Sequence, residues 1–339
     1  MATDPTSGQP PPSAPASGLG PHCLGSRVVV RHTLPGTGPS GGPVLNDVLG
    51  VLEEWGATTL TVRREDGSSV VVDRSTVVAG KPVPPRPPVR LRVPVDVAER
   101  RAVDGWPPLE RVDLGEWVLR ASEGFSARAN SALLVGEPGA AWPEAVARVR
   151  RFYDERALLA RAQVVAGSEQ EARLREEGWQ PSPGYATTVS FLIGGVAGVR
   201  RALRGAPDVD VALDGRVTAQ WLADDERAQR FLEPATRVLE GPEEVVFASV
   251  VEDGTVVAKG RASLSVRADV WAGVTDVHVA PSHRRGGLAG AVMQALLGWA
   301  AERGATAAYL QVRGDNDAAL ALYDRIGFVE HHRTWYLSP

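Results

Sequence analysis

Five of the eight residues at 81–88 are proline, and this run decides how the chain divides. Proline has no N–H to give to a helix or a sheet, and its ring holds φ near one value. The run therefore reads as a stiff, extended spacer and a domain boundary. Its PxxP spacing also suits a proline-binding partner, but a spacer is the simpler reading. With 339 residues, the chain has room for two or three domains around it.

Composition narrows the classes of function. The chain carries 37 basic and 41 acidic residues, a net charge of -4. Domains that grip phosphate backbones are usually visibly basic, so nucleic acid is not an expected partner. One cysteine, Cys23, leaves no disulfide framework and no Cys-rich metal site, and no metal is expected. The longest weakly apolar run, residues 186–199, holds Thr, Ser and Gly and is too short to span a bilayer. The N-terminal MATDPTSGQPPP has neither the basic start nor the apolar stretch of a signal peptide. The expectation is a soluble, cytoplasmic protein with no membrane partner.

Residues 1–24 are rich in Pro, Ser and Gly, with Asp4 as their one charged residue, and read as a disordered tail. Cys23 at its edge reads as a free, inert thiol. Over 25–80, β-branched runs at 27–31, 48–52, 58–63 and 69–73 predict a small all-β, SH3-like barrel, with Asp66-Gly67 turning a hairpin. Within it, Gly36-Thr-Gly38-Pro-Ser-Gly41 spells the dinucleotide fingerprint. That fingerprint needs a helix straight after its glycines, which Pro39 and Pro43 forbid, so it reads as a loop. Glu53, Glu54, Glu65, Asp66 and Asp73 offset the barrel's basic residues and weigh against a nucleic-acid module. Recruitment of a protein partner is the role left open to it.

Beyond a linker at 81–94, residues 95–195 mix two periods. Strands are predicted at 117–120, 132–135, 162–165 and 187–192, and helices at 143–156 and 168–177. Residues 196–207 read as a second linker or a short helix. An α/β unit follows at 208–339, with helices at 218–225 and 226–239 and a hairpin of strands at 244–251 and 255–265.

The chemistry concentrates after this. A strand at 274–280 runs into Pro281-Ser-His-Arg-Arg-Gly-Gly-Leu-Ala-Gly290 and then a long helix ending at Gly304. Leu288, Val292, Leu296 and Ala300 form its apolar stripe. Arg284, Arg285, Gly286 and Gly287 thus stand at a helix N-terminus. Free N–H groups and the helix dipole favour an anion there, glycine lets it approach closely, and arginine adds charge-assisted bonds. The segment predicts a phosphate or pyrophosphate site. A strand at 305–313 follows, then Asn316, a helix at 318–325, Gly327 and a last strand at 328–337. Asn316 and Tyr323 lie two helical turns apart and project along one side.

These two segments resemble the GNAT superfamily of acetyl-CoA-dependent N-acetyltransferases. The first signature appears as Arg284-Arg-Gly-Gly287-Leu-Ala289, and the second as Asn316, Ala319, Leu322-Tyr323 and Gly327-Phe328. The resemblance implies an α/β fold, a central mixed sheet flanked by helices, in two GNAT-like halves behind the small barrel. This layout also resembles a group of actinobacterial proteins. Residues 208–339 would be the catalytic half. Residues 95–195 would be a degenerate copy, because Gly136-Glu-Pro-Gly-Ala-Ala lacks the cradle spacing.

The resemblance further implies acetyl-CoA as cosubstrate. Its pantetheine would lie between splayed strands at 274–280 and 306–313 and pair with backbone at Val277, His278 and Val279. Its pyrophosphate would sit on amides from Arg285 through Gly286, Gly287, Leu288 and Ala289 to Gly290. Asn316 would help hold the pantetheine, and Tyr323 would protonate the departing thiolate. A half-buried core tyrosine is the other reading of Tyr323. Several family members carry a Glu on the strand before the loop, yet Trp271, Gly273 and Thr275 stand nearest here, and none accepts a proton. Asp276 and His278 point to the opposite face unless a bulge intervenes, which favours structural roles for both. His331 and His332 read as exposed polar positions. The function implied is transfer of acetyl from acetyl-CoA to a primary amine of a small molecule or peptide. A non-catalytic acetyl-CoA sensor or scaffold is the alternative.

Overall fold

The computed structural model describes residues 18–37, 41–64, 66–83 and 89–339. The chain divides into two compact units, 1–87 and 88–339. The Gly36–Gly41 loop lies partly, and the proline run at 84–88 wholly, outside the described residues.

The β-branched runs of the small unit become β1 (Arg27–Thr37), β2 (Pro43–Trp55), β3 (Thr59–Arg63) and β4 (Ser69–Asp73), joined by β5 (Val77–Pro82). They form an antiparallel sheet in the order β4-β3-β2-β1-β5. Alternation along the strands turns Val28, Val30, Val48, Leu52, Leu60, Val62 and Val72 inward. Pro82 closes β5, an edge strand, where a sheet tolerates proline. Leu19 and Cys23 are buried in the same core, and Pro21–Cys23 form a turn of 3-10 helix. Residues 18–24, expected to belong to a disordered tail, are therefore ordered, because these two apolar side chains complete the core.

The large unit opens with α1 (Val95–Gly105), β6 (Glu110–Leu114), β7 (Trp117–Ala121), β8 (Ala132–Leu133), α2 (Trp142–Asp154), β9 (Ala162–Val165), α3 (Glu169–Glu176), β10 (Gln180–Pro181) and β11 (Val189–Gly195). It continues through α4 (Val196–Ala202), β12 (Ala212–Asp214), α5 (Ala219–Leu222), α6 (Glu226–Arg230) and α7 (Leu232–Leu239). Strands β13 (Val245–Glu252), β14 (Thr255–Val266) and β15 (Val270–Val279) precede α8 (Leu288–Glu302), β16 (Ala307–Arg313), α9 (Asp317–Arg325) and β17 (Val329–Ser338).

Both halves share one mixed sheet, ordered β12-β13-β14-β15-β16-β11-β17-β9-β8-β7-β6, with β10 on β17. The halves exchange strands. β11 of the first half lies between β16 and β17 of the second, with Ile193 opposite Tyr309. β17 in turn lies beside β9, with Trp335 opposite Val164, and Leu337 joins the core of the first half. On the second half, the stripe of α8 packs on Val246, Ala248, Ala262 and Val274. Each such Leu or Val side chain contributes roughly 1.5–3 kcal/mol on burial.

Of the two readings of 196–207, a linker or a short helix, the structure has the helix, α4, and its Val196 and Val199 enter this core together with Leu203. Other elements differ from the sequence reading. The helix predicted at 226–239 is broken at Phe231, which leaves helical geometry. Pro234 would clash with the carbonyl of Arg230 in a continuous helix, and in α7 it falls in the first turn instead. Helix α1 was not anticipated, since it buries Glu99 and Arg101 beside Ala98 and Ala102 and so shows no clean apolar stripe.

Candidate active site

Strands β15 and β16 pair in parallel at Trp271–Ala307, Ala272–Ala308 and Gly273–Tyr309, and no further. A bulge accompanies their parting. The register between β14 and β15 jumps from Arg261–Thr275 to Lys259–His278, so Asp276 and Val277 face Gly260 alone. Asp276 sits at φ +54°, in the left-handed region. An extra residue of this kind bends its strand. The result is a wedge between the outer halves of β15 and β16. At its apex the Tyr309 ring lies across Gly273, where a Cβ would stand 2.3 Å from the phenol oxygen.

Past β15, Arg285 at φ +66° and Gly287 at φ +84° curl the chain into the start of α8. Such a curl turns successive N–H groups toward one point. The amides of Arg285, Gly286, Gly287, Leu288 and Ala289 have no hydrogen-bond partner among the described residues. The amide of Gly290 differs from the expectation, since it donates to the Gly287 carbonyl at 2.8 Å. Arg284 folds back, its Nε donating to the Val279 carbonyl at 3.1 Å, while Arg285 stays exposed. A side chain at Gly287 would meet Pro207 at 2.7 Å. Free amides at a helix start are the groups from which a backbone anion site is built.

Val277 and Val279 are half-buried against the core, and His278 is exposed with its Nε2 3.6 Å from Asp224. Asn316 is the N-cap of α9, its Oδ1 accepting from the Ala319 amide at 3.2 Å. Its residue type is thus explained by capping alone, whatever else it touches. Tyr323 is 7% exposed and packs edge-on against Phe328, with ring centroids 5.8 Å apart. Its hydroxyl has no hydrogen-bond partner among the described residues, and burial pushes its pKa up to about 12. The phenol is therefore held protonated at neutral pH.

A pocket of about 290 Å³ opens where the wedge begins, lined by Thr275, Asp276, Gln311 and Arg313 and, from the first half, by Trp106, Arg128 and Tyr185. The bulge answers the question that alternation raised, since it brings Asp276 to this pocket. Behind it stands Arg261, fully buried, donating to the carbonyls of Leu239 at 2.9 Å and Gly105 at 3.1 Å. Burial pushes Arg261 down to about 10, against the opposing pull of Asp276.

Gln311 is tied from behind. Its Nε2 donates to Glu99 Oε1 at 3.4 Å, and His332 Nε2 donates to the same oxygen at 2.9 Å. Gln163 donates to Glu99 Oε2 at 3.0 Å. His331 and His332 are thus not the exposed polar positions expected. The register of β11 and β17 skips from Phe191–His332 to Leu192–Glu330. His331 is the extra residue, so the two imidazoles meet at 2.7 Å instead of facing opposite ways. Burial lowers the pKa of His331, whose Nε2 donates to the Val93 carbonyl at 2.8 Å. Arg128, Gln311, Glu99 and Arg261 were not found from sequence, because each is brought in from a distant segment with no motif around it.

A mixed sheet whose parallel central strands part beside a helix opening on free amides defines an acetyltransferase of the GNAT class. The fold is similar to that of a GCN5-related N-acetyltransferase from Kribbella flavida, at 20% identity and a TM-score of 0.53, over 75% of this chain and 96% of that one. A functionally unknown conserved protein from Staphylococcus epidermidis gives a TM-score of 0.52 at 10% identity, over 74% of this chain and 98% of that one. Residues 95–337 match the family described as the C-terminal part of the probable histone acetyltransferase Rv0428c, and residues 22–81 match the Rv0428c N-terminal Sm-like domain. That Mycobacterium tuberculosis protein is 30% identical over 324 residues, which span 93% of this chain and 95% of it. The uncharacterized N-acetyltransferase YobR of Bacillus subtilis is 40% identical over 67 residues, 19% of this chain and 27% of that protein. The chain belongs to the Rv0428c family. Its small unit matches an Sm-like domain, consistent with the small all-β barrel expected there.

Proposed function

We propose that the protein transfers the acetyl group of acetyl-CoA to a primary amine by direct attack on the thioester. The observation that carries this reading is the wedge between β15 and β16, with the amide cradle at α8 and the 290 Å³ pocket at the bulge. Acetyl-CoA supplies the activated acetyl group. The amides of residues 285–289 bind its pyrophosphate, with Arg285 adding charge at the rim, and Asn316 helps to hold the pantetheine.

Asp276 accepts the proton of the incoming ammonium, so that the neutral amine forms the C–N bond. Backbone N–H on the Val277–Val279 strand that faces the wedge holds the oxyanion that develops. As the C–S bond breaks, Tyr323 gives its proton to the leaving thiolate, and the second proton shed by the acetylated nitrogen restores the phenol, while Asp276 releases its own to solvent. The products are the acetamide and free CoA. The Mycobacterium tuberculosis relative is named for histones, and peptide lysines therefore join small amines among the acceptors to try.

The test is release of CoA thiol with a mixed panel of amines. Turnover that needs both acetyl-CoA and an amine supports the reading. Acetyl-CoA binding without turnover on any acceptor would overturn it and favour a sensor.

A further inference from the structure

We infer that the acceptor is a small amine that also carries an acidic group, held by Arg128 while its amine faces Asp276 and Gln311. The inference rests on the acetyl-transfer reading above and names the substrate class for that site.

The charges around the pocket are unevenly matched. Arg313 is paired with Asp315 at 2.6 Å, and Arg227 lies 3.7 Å from Asp225. Asp276, the carboxylate among the lining residues, stands before the buried guanidinium of Arg261. Arg128 is left over. It is half-buried on the short turn Arg128–Asn130, its guanidinium 5.1 Å from the centroid of the Trp106 ring. Its carbonyl accepts from Ser131 Oγ at 3.3 Å, but the guanidinium makes no hydrogen bond or ion pair with any described residue. A partly desolvated guanidinium of this kind is satisfied by a carboxylate or phosphate through paired, charge-assisted bonds.

The opposite end of the pocket is built for the amine. Neither oxygen of Asp276 is hydrogen-bonded by a described residue, and Oδ2 is shielded from solvent. The Oε1 of Gln311 is likewise buried without a partner. Its amide cannot turn over, because Nε2 donates to Glu99, whose carboxylate only accepts. Three acceptor oxygens on two side chains thus wait for N–H donors. The volume, about 290 Å³, is at the small end of ligand pockets. A polyamine or a lysine-rich peptide would add positive charge where Arg128 is already unmatched.

The experiment compares free amino acids with their carboxamides, which keep the amine and lose the acid. Spermidine and a lysine-rich peptide are the cationic arms, and phosphoethanolamine separates phosphate from carboxylate. The expected kcat/KM for one of the two acid classes exceeds that of its neutral or cationic counterparts at least tenfold. In Arg128→Gln that ratio falls toward one, and in Arg128→Lys it is partly restored. A second readout needs no turnover. The N-acetylated acids should bind the CoA-loaded protein at least tenfold more tightly than the N-acetylated amides, and Arg128→Gln should abolish the difference. Faster turnover of the amides or the cationic arms, or equal binding of both acetylated forms, would overturn the inference. Selective binding of the acids without turnover would sink the catalytic reading and leave this one standing.

Discussion

Glu99 accepts a hydrogen bond from His332 at 2.9 Å, tying the first helix of the large unit to its last strand. Both side chains are buried, and the same carboxylate also takes the amides of Gln163 and Gln311. Glu99→Ala would leave all three donors without an acceptor. Breaking one side of a buried pair costs about 3–5 kcal/mol. The urea midpoint should fall accordingly with an unchanged slope, and a loss below about 1 kcal/mol would mean that water replaces the carboxylate.

The cradle can be blocked without disturbing the fold. A Cβ at Gly286 would meet only the His283 carbonyl, at 3.5 Å, so Gly286→Leu should melt like the wild type. Its side chain would occupy the mouth of α8. The affinity for acetyl-CoA should fall at least tenfold, which is about 1.4 kcal/mol. Gly287→Leu should lose both binding and melting temperature, because it adds a clash with Pro207 to a left-handed φ. Equal acetyl-CoA affinity in Gly286→Leu and wild type would place the pyrophosphate elsewhere.

Tyr323→Phe keeps the ring against Phe328 and removes the proton. If the phenol is the acid, kcat should fall by about 10²-fold or more, while the Kd for acetyl-CoA stays within about twofold. Unchanged turnover would return Tyr323 to a core role. The hydroxyl also carries an alkaline signature. Its pKa is about 12 when folded against 10.0 for the ordinary group, and a raised value stabilises the protonated, folded form. That contribution is complete below pH 10 and is lost as pH climbs through 12. Stability curves over this window should be flatter for Tyr323→Phe than for the wild type.

Cys23 is 1% exposed and its Sγ lies 3.7 Å from the Gly18 carbonyl. A thiol reagent should therefore react with the native protein far more slowly than with the protein in denaturant. Rapid native labelling would show that the segment from Leu19 to Cys23 opens easily.

What could be read from the sequence was what lies close together along it. Arg285 to Ala289 lie within one turn of chain, so a strand, two glycines and a helix start were enough to mark the helix mouth with its free amides. The helices beside Ser168 and Asn316 were likewise legible from their own neighbourhoods, and both residues cap them. The bulge at Asp276 depends on how β15 registers against Gly260, a pairing that alternation along one strand cannot choose. Arg128 and Gln311, 183 positions apart (311 less 128), line the same pocket, and nothing near either marks them. Glu99 and Arg101 hid their helix because burial of charge is what an apolar stripe argument excludes. The same limit hid the strand exchange, since β11 and β17 alternate equally well beside any neighbour.

That exchange also constrains how the molecule is made. Between Gly195 at the end of β11 and Val329 at the start of β17 lie 133 residues (329 less 195, less one). During translation the first half emerges with β9 and β11 lacking the strand that lies between them. Their open edges must be kept from foreign chains while the second half is synthesised. Neither half is a finished product that the ribosome can set aside. The large unit should acquire its protection from proteolysis in a single late step, once β17 has threaded into the gap left for it.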